Sequence, residues 1–285
     1  MSTLNHPKNK MSVKRRREVI SVSWKTMLGI VFIFPVLLAL VFSFVPNDKL
    51  YGLPSVSTII EFFTFENYQW IFKNIPILKY VTNSLTMCFI VIIAQSAVAC
   101  LAAYAFAFFE FKGKNTIFQI LLIAMMVPGE VCTICNFLTV RNMGLLNTMG
   151  GMVIISLVSC HAIFMMRQSY LSMPRELREA TMIDGCSEMR YMVQFAIPLS
   201  VPTICSLAIT TFISVFNAYL WPLMIARSPE KYTVQIGMAL LIDNELPTYG
   251  RSMAGAVLCM IIPVIVFIIF QSYMIKGLTK GAVKG

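Results

Sequence analysis

Six stretches of this chain are long and almost free of charged residues. They predict helices over 26–45, 84–108, 116–138, 146–166, 202–224 and 252–275. Each has about the 20 residues needed to cross the apolar core of a lipid bilayer, which is roughly 30 Å thick. We expect helices because a helix satisfies its backbone hydrogen bonds within the segment, where no water is available. The sequence therefore predicts an all-α integral membrane protein with six transmembrane helices.

The composition agrees with this expectation. Of the 285 residues, 58% are hydrophobic and 13% are charged, whereas a soluble domain carries about 25% charged residues. The 8 cysteines are scattered, mostly in apolar runs, which is typical of small buried side chains and not of a secreted disulfide framework. Cys132 and Cys135 form an isolated C-x-x-C without a second Cys or His pair, so no metal site is predicted.

The basic residues set the predicted orientation. With the N-terminus inside and six alternating helices, the outer segments hold only Lys49, Lys73, Lys79, Arg141, Arg227, Lys231 and Arg251. The inner segments hold the remaining basic residues: Lys8, Lys10, Lys14, Arg15, Arg16, Arg17, Lys25, Lys112, Lys114, Arg167, Arg175, Arg178, Arg190, Lys276, Lys280 and Lys284. Cytoplasmic loops of membrane proteins carry such an excess. Both termini are therefore predicted to lie in the cytoplasm, beneath the cell (inner) membrane.

This topology divides the chain into a basic cytoplasmic segment, 1–25, a transmembrane domain, 26–275, and a cytoplasmic tail, 276–285. It also accounts for the net charge of +10 without a nucleic-acid partner. The basic run at 14–17 is interpreted as a topology signal, and a contact with anionic membrane lipid stays open. Aromatic residues in the external loop 46–79 are interpreted as an interfacial belt or as a short helix on the outer surface.

The inner loop, 167–200, carries helix start and stop signals that an ordinary connector does not need. Pro174 suits the first turn of a helix, and Glu176 places an acidic group near the positive end of that helix. Gly185 fits a left-handed helix stop, and Ser187 can cap a second short helix. The loop is therefore predicted to form a stiff helix–glycine–helix unit in the cytoplasm.

One face of the first loop helix suits docking against another protein. This face is formed by positions i, i+3, i+4 and i+7, which are Leu177, Ala180, Thr181 and Asp184. Their side chains are small and mixed in polarity. Such a face favours contact with a protein over immersion in lipid.

The same loop resembles the EAA loop of permease subunits of ABC importers. Residues 179–185, EATMIDG, followed by IPLSVP at 197–202, are similar to the family pattern E-A-A-x-x-D-G-A and L-P-L-x-x-P. Departures from the pattern are Thr181, Cys186 and, further on, Phe216. Similarity to the maltose-type sugar permeases continues in four more segments: MVPG at 126–129, GLLNT at 144–148, FNAYLWPL at 216–223 and GLTKGAVKG at 277–285.

The resemblance implies a type I ABC importer permease fold with a cytoplasmic EAA coupling helix. It implies a second, homologous permease subunit, two ATPase subunits that grip the pair, and an external solute-binding protein that delivers a sugar or sugar-like solute. ATP binding would turn the pair from inward-facing to outward-facing, and hydrolysis would reset it. The residues expected to couple to the ATPase are Glu176, Glu179, Ala180, Asp184 and Gly185.

The sequence contains no nucleotide-binding motif. No G-x-x-x-x-G-K-[ST] pattern occurs, since Gly113-Lys114-Asn115 lacks the earlier glycine and the hydroxyl residue. We therefore expect that the chain is not an enzyme and has no catalytic residue, metal or cofactor of its own. ATP and magnesium would be bound by the partner subunits.

Polar residues in the predicted helices are candidates for the path of the solute. Asn217 stands near Tyr219 and Trp221, whose ring faces suit sugars, and Glu130 lies near the outer end of the third helix. Each has an alternative role, Glu130 as a carboxylate at the headgroups and the others in helix packing. His161 is interpreted as a helix-packing hydrogen bonder. Further neutral candidates are Asn83, Gln95 and Asn136.

An ion-coupled secondary transporter of a small polar solute is the alternative function. Such a transporter usually carries several ionisable residues at the middle of the membrane, and this chain offers only Glu130 and His161. A membrane-embedded enzyme is disfavoured because neither H-E-x-x-H nor paired acids occur within the predicted helices.

Overall fold

The structure is a computed structural model that describes residues 13–50, 61–241 and 248–279. Every regular element in these ranges is helical, which confirms the all-α prediction there. The α-helices are α1 (Val13–Phe42), α2 (Glu66–Asn74), α3 (Ile77–Phe108), α4 (Lys114–Ala124), α5 (Thr133–Asn142), α6 (Met149–Val153), α7 (Cys160–Leu171), α8 (Arg175–Ile183), α9 (Glu188–Tyr191), α10 (Ile197–Leu199), α11 (Val201–Phe216), α12 (Leu220–Ile225), α13 (Val234–Ala239) and α14 (Tyr249–Thr279).

Three continuous helices are long and apolar enough to cross a membrane. They cover Ile20–Phe42, Ile77–Phe108 and Tyr249–Gln271. Three more apolar segments are pairs of helices with a bend at a short break, of 89° after α4, 49° before α7 and 70° before α11. The described residues thus hold three clear candidate spans, or up to six if each bent pair counts as one span.

The helices predicted as continuous over 116–138 and 146–166 are interrupted at the first two of these breaks, and the helix predicted over 202–224 is interrupted at 217–219, between α11 and α12. Pro128 is extended at the first break, and a proline disfavours helix at the residue before it. Ser159 is extended at the second break and caps α7, since its hydroxyl accepts a hydrogen bond from the Ala162 N–H. In the third segment, Pro222 lacks the N–H that would bond the carbonyl of Ala218 in a continuous helix.

The long helices begin earlier than predicted. The helix predicted from residue 26 starts at Val13, the helix predicted from 84 starts at Ile77, and the helix predicted from 252 starts at Tyr249. The prediction followed the apolar runs, whereas lysine and arginine are good helix formers and let a helix continue beyond the apolar part. Of the predicted terminal segments 1–25 and 276–285, residues 1–12 and 280–285 lie outside the described residues.

The described helices fall into two compact units. The first contains 13–50, 61–70 and 248–257. It contains the buried Asn67, whose amide donates to the carbonyl oxygens of Ser43 at 3.0 Å and Val45 at 2.7 Å. The Phe63 ring stacks on Phe44 with ring centroids 4.8 Å apart. Aromatic side chains of the 46–79 loop thus pack against the end of α1, and the short helix is present as α2.

The second unit contains 71–241 and 258–279. Helix α3 runs through both of its apolar cores. One core surrounds the aromatic side chains of Phe212, Phe216 and Trp221. In the other core, the small residues Ala99 and Ala103 on α3 are fully buried, which lets helix backbones approach closely.

Candidate functional site

The loop 167–200 ends its first helix, α8, at a glycine in the left-handed region. Gly185 has φ +80°, and its N–H bonds the Met182 carbonyl at 3.1 Å. The Cys186 N–H bonds the Thr181 carbonyl at 3.0 Å. These two hydrogen bonds form a Schellman motif, which satisfies the last carbonyl groups of the helix. The predicted glycine stop is confirmed.

The second helix of the loop, α9, is capped by Ser187, the residue before its first one. Its backbone is extended and its hydroxyl accepts a hydrogen bond of 3.4 Å from the Arg190 N–H, which confirms the predicted cap. The chain then passes through a π-helical turn, Met192–Ala196, ahead of Pro198. A proline in a helix removes one hydrogen bond and crowds the preceding turn. The π-helical turn ahead of the proline accommodates this change in the hydrogen-bond pattern.

The outward face of α8 differs from the predicted face. Thr181 is buried, with 9% of its surface exposed, and Leu177 is half-buried, so these two point toward the rest of the chain. Ile183, which the sequence analysis did not single out, is 86% exposed. The coupling candidates Glu176, Glu179, Ala180, Asp184 and Gly185 are all exposed. Together with Ile183 they form what we call the outward face.

A small charged cluster attaches this loop to α3. The Tyr104 hydroxyl on α3 donates a hydrogen bond of 2.5 Å to Oε2 of Glu188 on α9. The other carboxylate oxygen of Glu188 pairs with Arg178 on α8. The Arg178 guanidinium also lies 5.3 Å from the centre of the Phe108 ring. Sequence analysis missed this cluster, because no local pattern links Tyr104 to residues about 80 positions away.

Arg167 makes a second attachment at the same end of α3. Its Nε donates to the carbonyl of Phe106 at 3.1 Å, which satisfies one of the free carbonyl groups near the helix end. Its guanidinium lies 4.1 Å from the centre of the Phe118 ring on α4. One side chain on α7 thus joins α3 and α4.

The four candidates for the solute path lie in different environments. Asn217 and Tyr219 are exposed between α11 and α12, and Asn217 Oδ1 accepts a hydrogen bond of 3.3 Å from Gln235. Glu130 is exposed in the 3-10 turn at the break after α4. Trp221 instead is buried, and its indole N–H donates to the Met152 carbonyl at 3.1 Å. Its geometry is that of a packing residue.

Among the further candidates, Asn83 has a packing role. Its amide donates to the carbonyls of Glu230 at 2.8 Å and Tyr232 at 2.9 Å, so it fixes the segment between α12 and α13 against α3. Both of its donors are used within the protein.

Comparison with known proteins agrees with this architecture. Residues 95–280 match the family described as binding-protein-dependent transport system inner membrane component. The chain belongs to this family. It is 32% identical over 282 residues to the arabinooligosaccharides transport system permease protein AraQ of Halalkalibacterium halodurans, covering 96% of this chain and 100% of that protein. It is also 32% identical over 201 residues to the sn-glycerol-3-phosphate transport system permease protein UgpE of Yersinia pestis bv. Antiqua, covering 70% and 72%.

A solved structure shares the fold. The chain superposes on a bacterial ABC transporter involved in the import of the acidic polysaccharide alginate with a TM-score of 0.78, at 19% identity, over 93% of this chain and 99% of that one. The family's helical permease fold is therefore confirmed. The protein is a multi-pass membrane permease subunit of a binding-protein-dependent importer. This membership supports the importer over the ion-coupled alternative.

Proposed function

We propose that this permease forms one half of the membrane pore of an ATP-driven importer for a sugar or sugar-like solute. A second, homologous permease forms the other half, and an external solute-binding protein delivers the solute. The relatives named for arabinooligosaccharides and sn-glycerol-3-phosphate support a carbohydrate or a carbohydrate derivative. Each of the three bent helix pairs contributes one span, which makes six spans in total, and the span of the third pair begins after Ser200, where the loop 167–200 ends.

The outward face of α8 is the docking site for an ATPase subunit in the cytoplasm. The observation that carries this proposal is that the exposed side chains belong to a helix that is firmly attached to the rest of the chain. Glu176, Glu179, Ala180, Ile183 and Asp184 are exposed on a helix whose other side is held by the Glu188 cluster. A surface that must transmit force needs both properties, because a loosely attached helix would move without moving the pore.

The outward face combines charge with apolar surface. It holds the carboxylates of Glu176, Glu179 and Asp184 and the exposed side chain of Ile183. Protein interfaces usually place an apolar anchor inside a polar rim. Ile183 is the anchor in this proposal, Glu179 makes the charged contact, and Ala180 allows close approach. ATP and magnesium are held by the ATPase subunits, and this chain carries no catalytic residue.

The loop 167–200 passes the motion of the ATPase to the pore. Gly185 fixes the angle between α8 and α9, and Ser200 lies at the 70° bend where the loop enters α11. Ser200 is fully buried, and its hydroxyl oxygen lies 3.1 Å from that of Ser169 on α7. Thr203 also donates to Ser169 at 3.1 Å. A push on α8 is therefore delivered to α3, α7 and α11 together.

In this proposal the loop 167–200 lies inside the cell, which the excess of basic residues in the inner segments supports. Segment 1–25 and tail 276–285 are cytoplasmic, and the loop 46–79 is external, with membrane lipid around the spans. Asn217, Tyr219 and Glu130 remain candidates for contact with the solute on its path, while Trp221 supports that region from within the core.

Charge reversal at Glu179 tests the docking proposal. The Glu179→Lys variant, expressed with its partner subunits, should recover about tenfold less ATPase on purification, the change that about 1.4 kcal/mol of lost affinity produces. The matched control is Glu230→Lys, which makes the same charge change at an exposed position between α12 and α13.

The control should retain the complex at the wild-type level. An ATPase that stays bound to the Glu179→Lys variant, but dissociates from Glu230→Lys, would reverse the assignment of the two sides. Equal retention in both variants would remove Glu179 from the docking site.

A further inference from the structure

Four aromatic side chains form a cluster where the first candidate span ends. That span covers Ile20–Phe42, and Phe44 follows two residues later. The Phe44 ring contacts the other three rings. Phe63 stacks on it with ring centroids 4.8 Å apart, and the centroids of Phe65 and Tyr68 each lie 5.3 Å from it. We call these four residues the aromatic cluster.

Hydrogen bonds fix the aromatic cluster to the end of α1. The Thr64 N–H donates to the Phe44 carbonyl at 2.7 Å, which places the rings on either side of Thr64 against α1. The Tyr68 hydroxyl lies 2.7 Å from Oγ of Ser43, whose own hydroxyl donates to the Leu40 carbonyl. The cluster therefore has a defined position relative to the span, although it belongs to a loop.

Two rings of the cluster point away from the protein. Phe63 is 58% exposed and Phe65 is 56% exposed. Their centroids are 5.6 Å apart with the ring planes at 89°, so the rings pack edge to face against each other. Exposed apolar groups that are held together in this way mark a contact with a membrane or with another protein.

The surface of α1 leads up to these rings. The apolar side chains of its span are exposed along its length, with Phe32 at 76% near the middle and Leu40 at 41% near the end. Phe44, Phe63 and Phe65 continue this apolar surface beyond the last residue of the span. The aromatic cluster is thus an extension of a surface that already lies at membrane depth.

Basic side chains accompany aromatic rings in the same unit. The Lys49 ammonium lies 5.1 Å from the centre of the Phe62 ring, and the Arg251 guanidinium lies 4.2 Å from the centre of the Trp70 ring. Aromatic rings and basic side chains occur together at the level of lipid headgroups, where the rings are half immersed and the cations reach the phosphates. This combination favours phospholipid over a protein partner as the cover of the cluster.

We infer that the aromatic cluster inserts into the outer headgroup layer of the bilayer and anchors the outer end of α1. Phe63 and Phe65 contact the upper part of the acyl chains, as apolar side chains of interfacial segments do. Lys49 and Arg251 lie at the level of the phosphates. The cluster is at the end of α1 opposite the basic run 14–17, so the two ends of this span are held by different chemistry. The inference does not depend on which solute is carried.

Photo-crosslinking in the complete importer tests this contact. Phe63→p-benzoylphenylalanine and Phe65→p-benzoylphenylalanine keep an aromatic ring at each position and add a group that bonds to nearby C–H groups under ultraviolet light. The importer is placed in vesicles of palmitoyl-oleoyl phosphatidylcholine, with and without its solute-binding protein. Mass spectrometry identifies what is bonded to the chain.

Two further positions serve as controls for this experiment. Phe32→p-benzoylphenylalanine reports contact with lipid near the middle of the α1 span, and Glu230→p-benzoylphenylalanine reports an exposed position between α12 and α13. ATP hydrolysis at the wild-type rate shows that each variant is folded and assembled with its partners.

We expect lipid adducts at residues 63 and 65 in a yield several-fold above that at residue 230 and close to that at residue 32. Fragmentation of the adducts should locate the new bond in the glycerol or the upper acyl chain for 63 and 65, and nearer the chain end for 32. Added binding protein should leave these yields unchanged.

Two results would overturn the inference without affecting the proposed function. One is a lipid yield at residues 63 and 65 no higher than at residue 230, which would place the cluster in water. The other is an adduct with the binding protein or the second permease in place of lipid, which would make the cluster a protein interface.

Discussion

The Tyr104 hydroxyl donates a hydrogen bond of 2.5 Å to the carboxylate of Glu188. The same carboxylate pairs with Arg178, so one side chain joins α3, α8 and α9. A membrane-span helix and both helices of the loop 167–200 are thus connected through Glu188. This arrangement is suited to transmitting motion, because a displacement of α8 also displaces the end of α3.

Removing the Tyr104 hydroxyl should weaken this connection. A hydrogen bond to a charged group contributes about 1.5–3 kcal/mol, and the Tyr104→Phe variant loses it while keeping the ring in the core. We expect solute uptake per ATP hydrolysed to fall in proteoliposomes. Tyr68→Phe, which loses a 2.7 Å hydrogen bond to Ser43 in the other unit, is the control and should keep the wild-type ratio. An unchanged ratio in Tyr104→Phe would mean that the connection is not needed for coupling.

Substitution of Gly185 should act through backbone conformation alone. Nothing lies within 4 Å of a Cβ atom at this position, but φ is +80°. The left-handed conformation costs an L-residue about 1–2 kcal/mol, and asparagine tolerates it better. Gly185→Val should therefore lower thermal stability and ATPase coupling more than Gly185→Asn. Equal effects of the two substitutions would show that side-chain size, and not φ, limits this position.

Gly151 in α6 should not accept a side chain. A Cβ atom there would overlap the backbone carbonyl oxygen of Leu145, which cannot move like a flexible side chain. We expect Gly151→Ala to destabilise the detergent-solubilised protein by about 1–3 kcal/mol in thermal unfolding. The adjacent Gly150→Ala is the control, because its Cβ would lie at an ordinary 3.7 Å from Thr148 Oγ1. Equal melting temperatures for the two variants would contradict the packing described here.

Trp221 should affect stability and leave solute affinity alone. Trp221→Phe removes the hydrogen bond from its indole N–H to the Met152 carbonyl, a loss of about 0.5–1.5 kcal/mol. The melting temperature should fall, while the KM of transport stays at its wild-type value. A raised KM at unchanged stability would restore Trp221 to the solute path.

The local signals in the loop 167–200 were predictable from the sequence. The stop at Gly185 and the cap at Ser187 depend on interactions within a few residues, and both are present. The exposed side of α8 was predicted only in part. Helical spacing placed Ala180 and Asp184 together correctly, but it could not tell that Thr181 is turned inward, because the packing of α8 against the permease decides which side is covered.

The surroundings of the solute-path candidates were harder to predict. Gln95 and His161 were each visible as polar residues in apolar runs, but they come from helices far apart in the chain, and no local pattern shows that they line one cavity. Trp221 looked like a platform for a sugar ring, and it lies in the core. The residues that these side chains contact, such as Met152 for Trp221, depend on how the helices cross.

The sequence by itself determined the helical class, the positions of the apolar segments and the family, since the lipid bilayer demands long apolar helices and the loop motif is local. Tertiary structure decided which side of each helix is buried and which polar groups meet. The physical reason is that lipid and protein interior are both apolar. The hydrophobic pattern that separates core from surface in a soluble protein therefore cannot make that distinction inside a membrane.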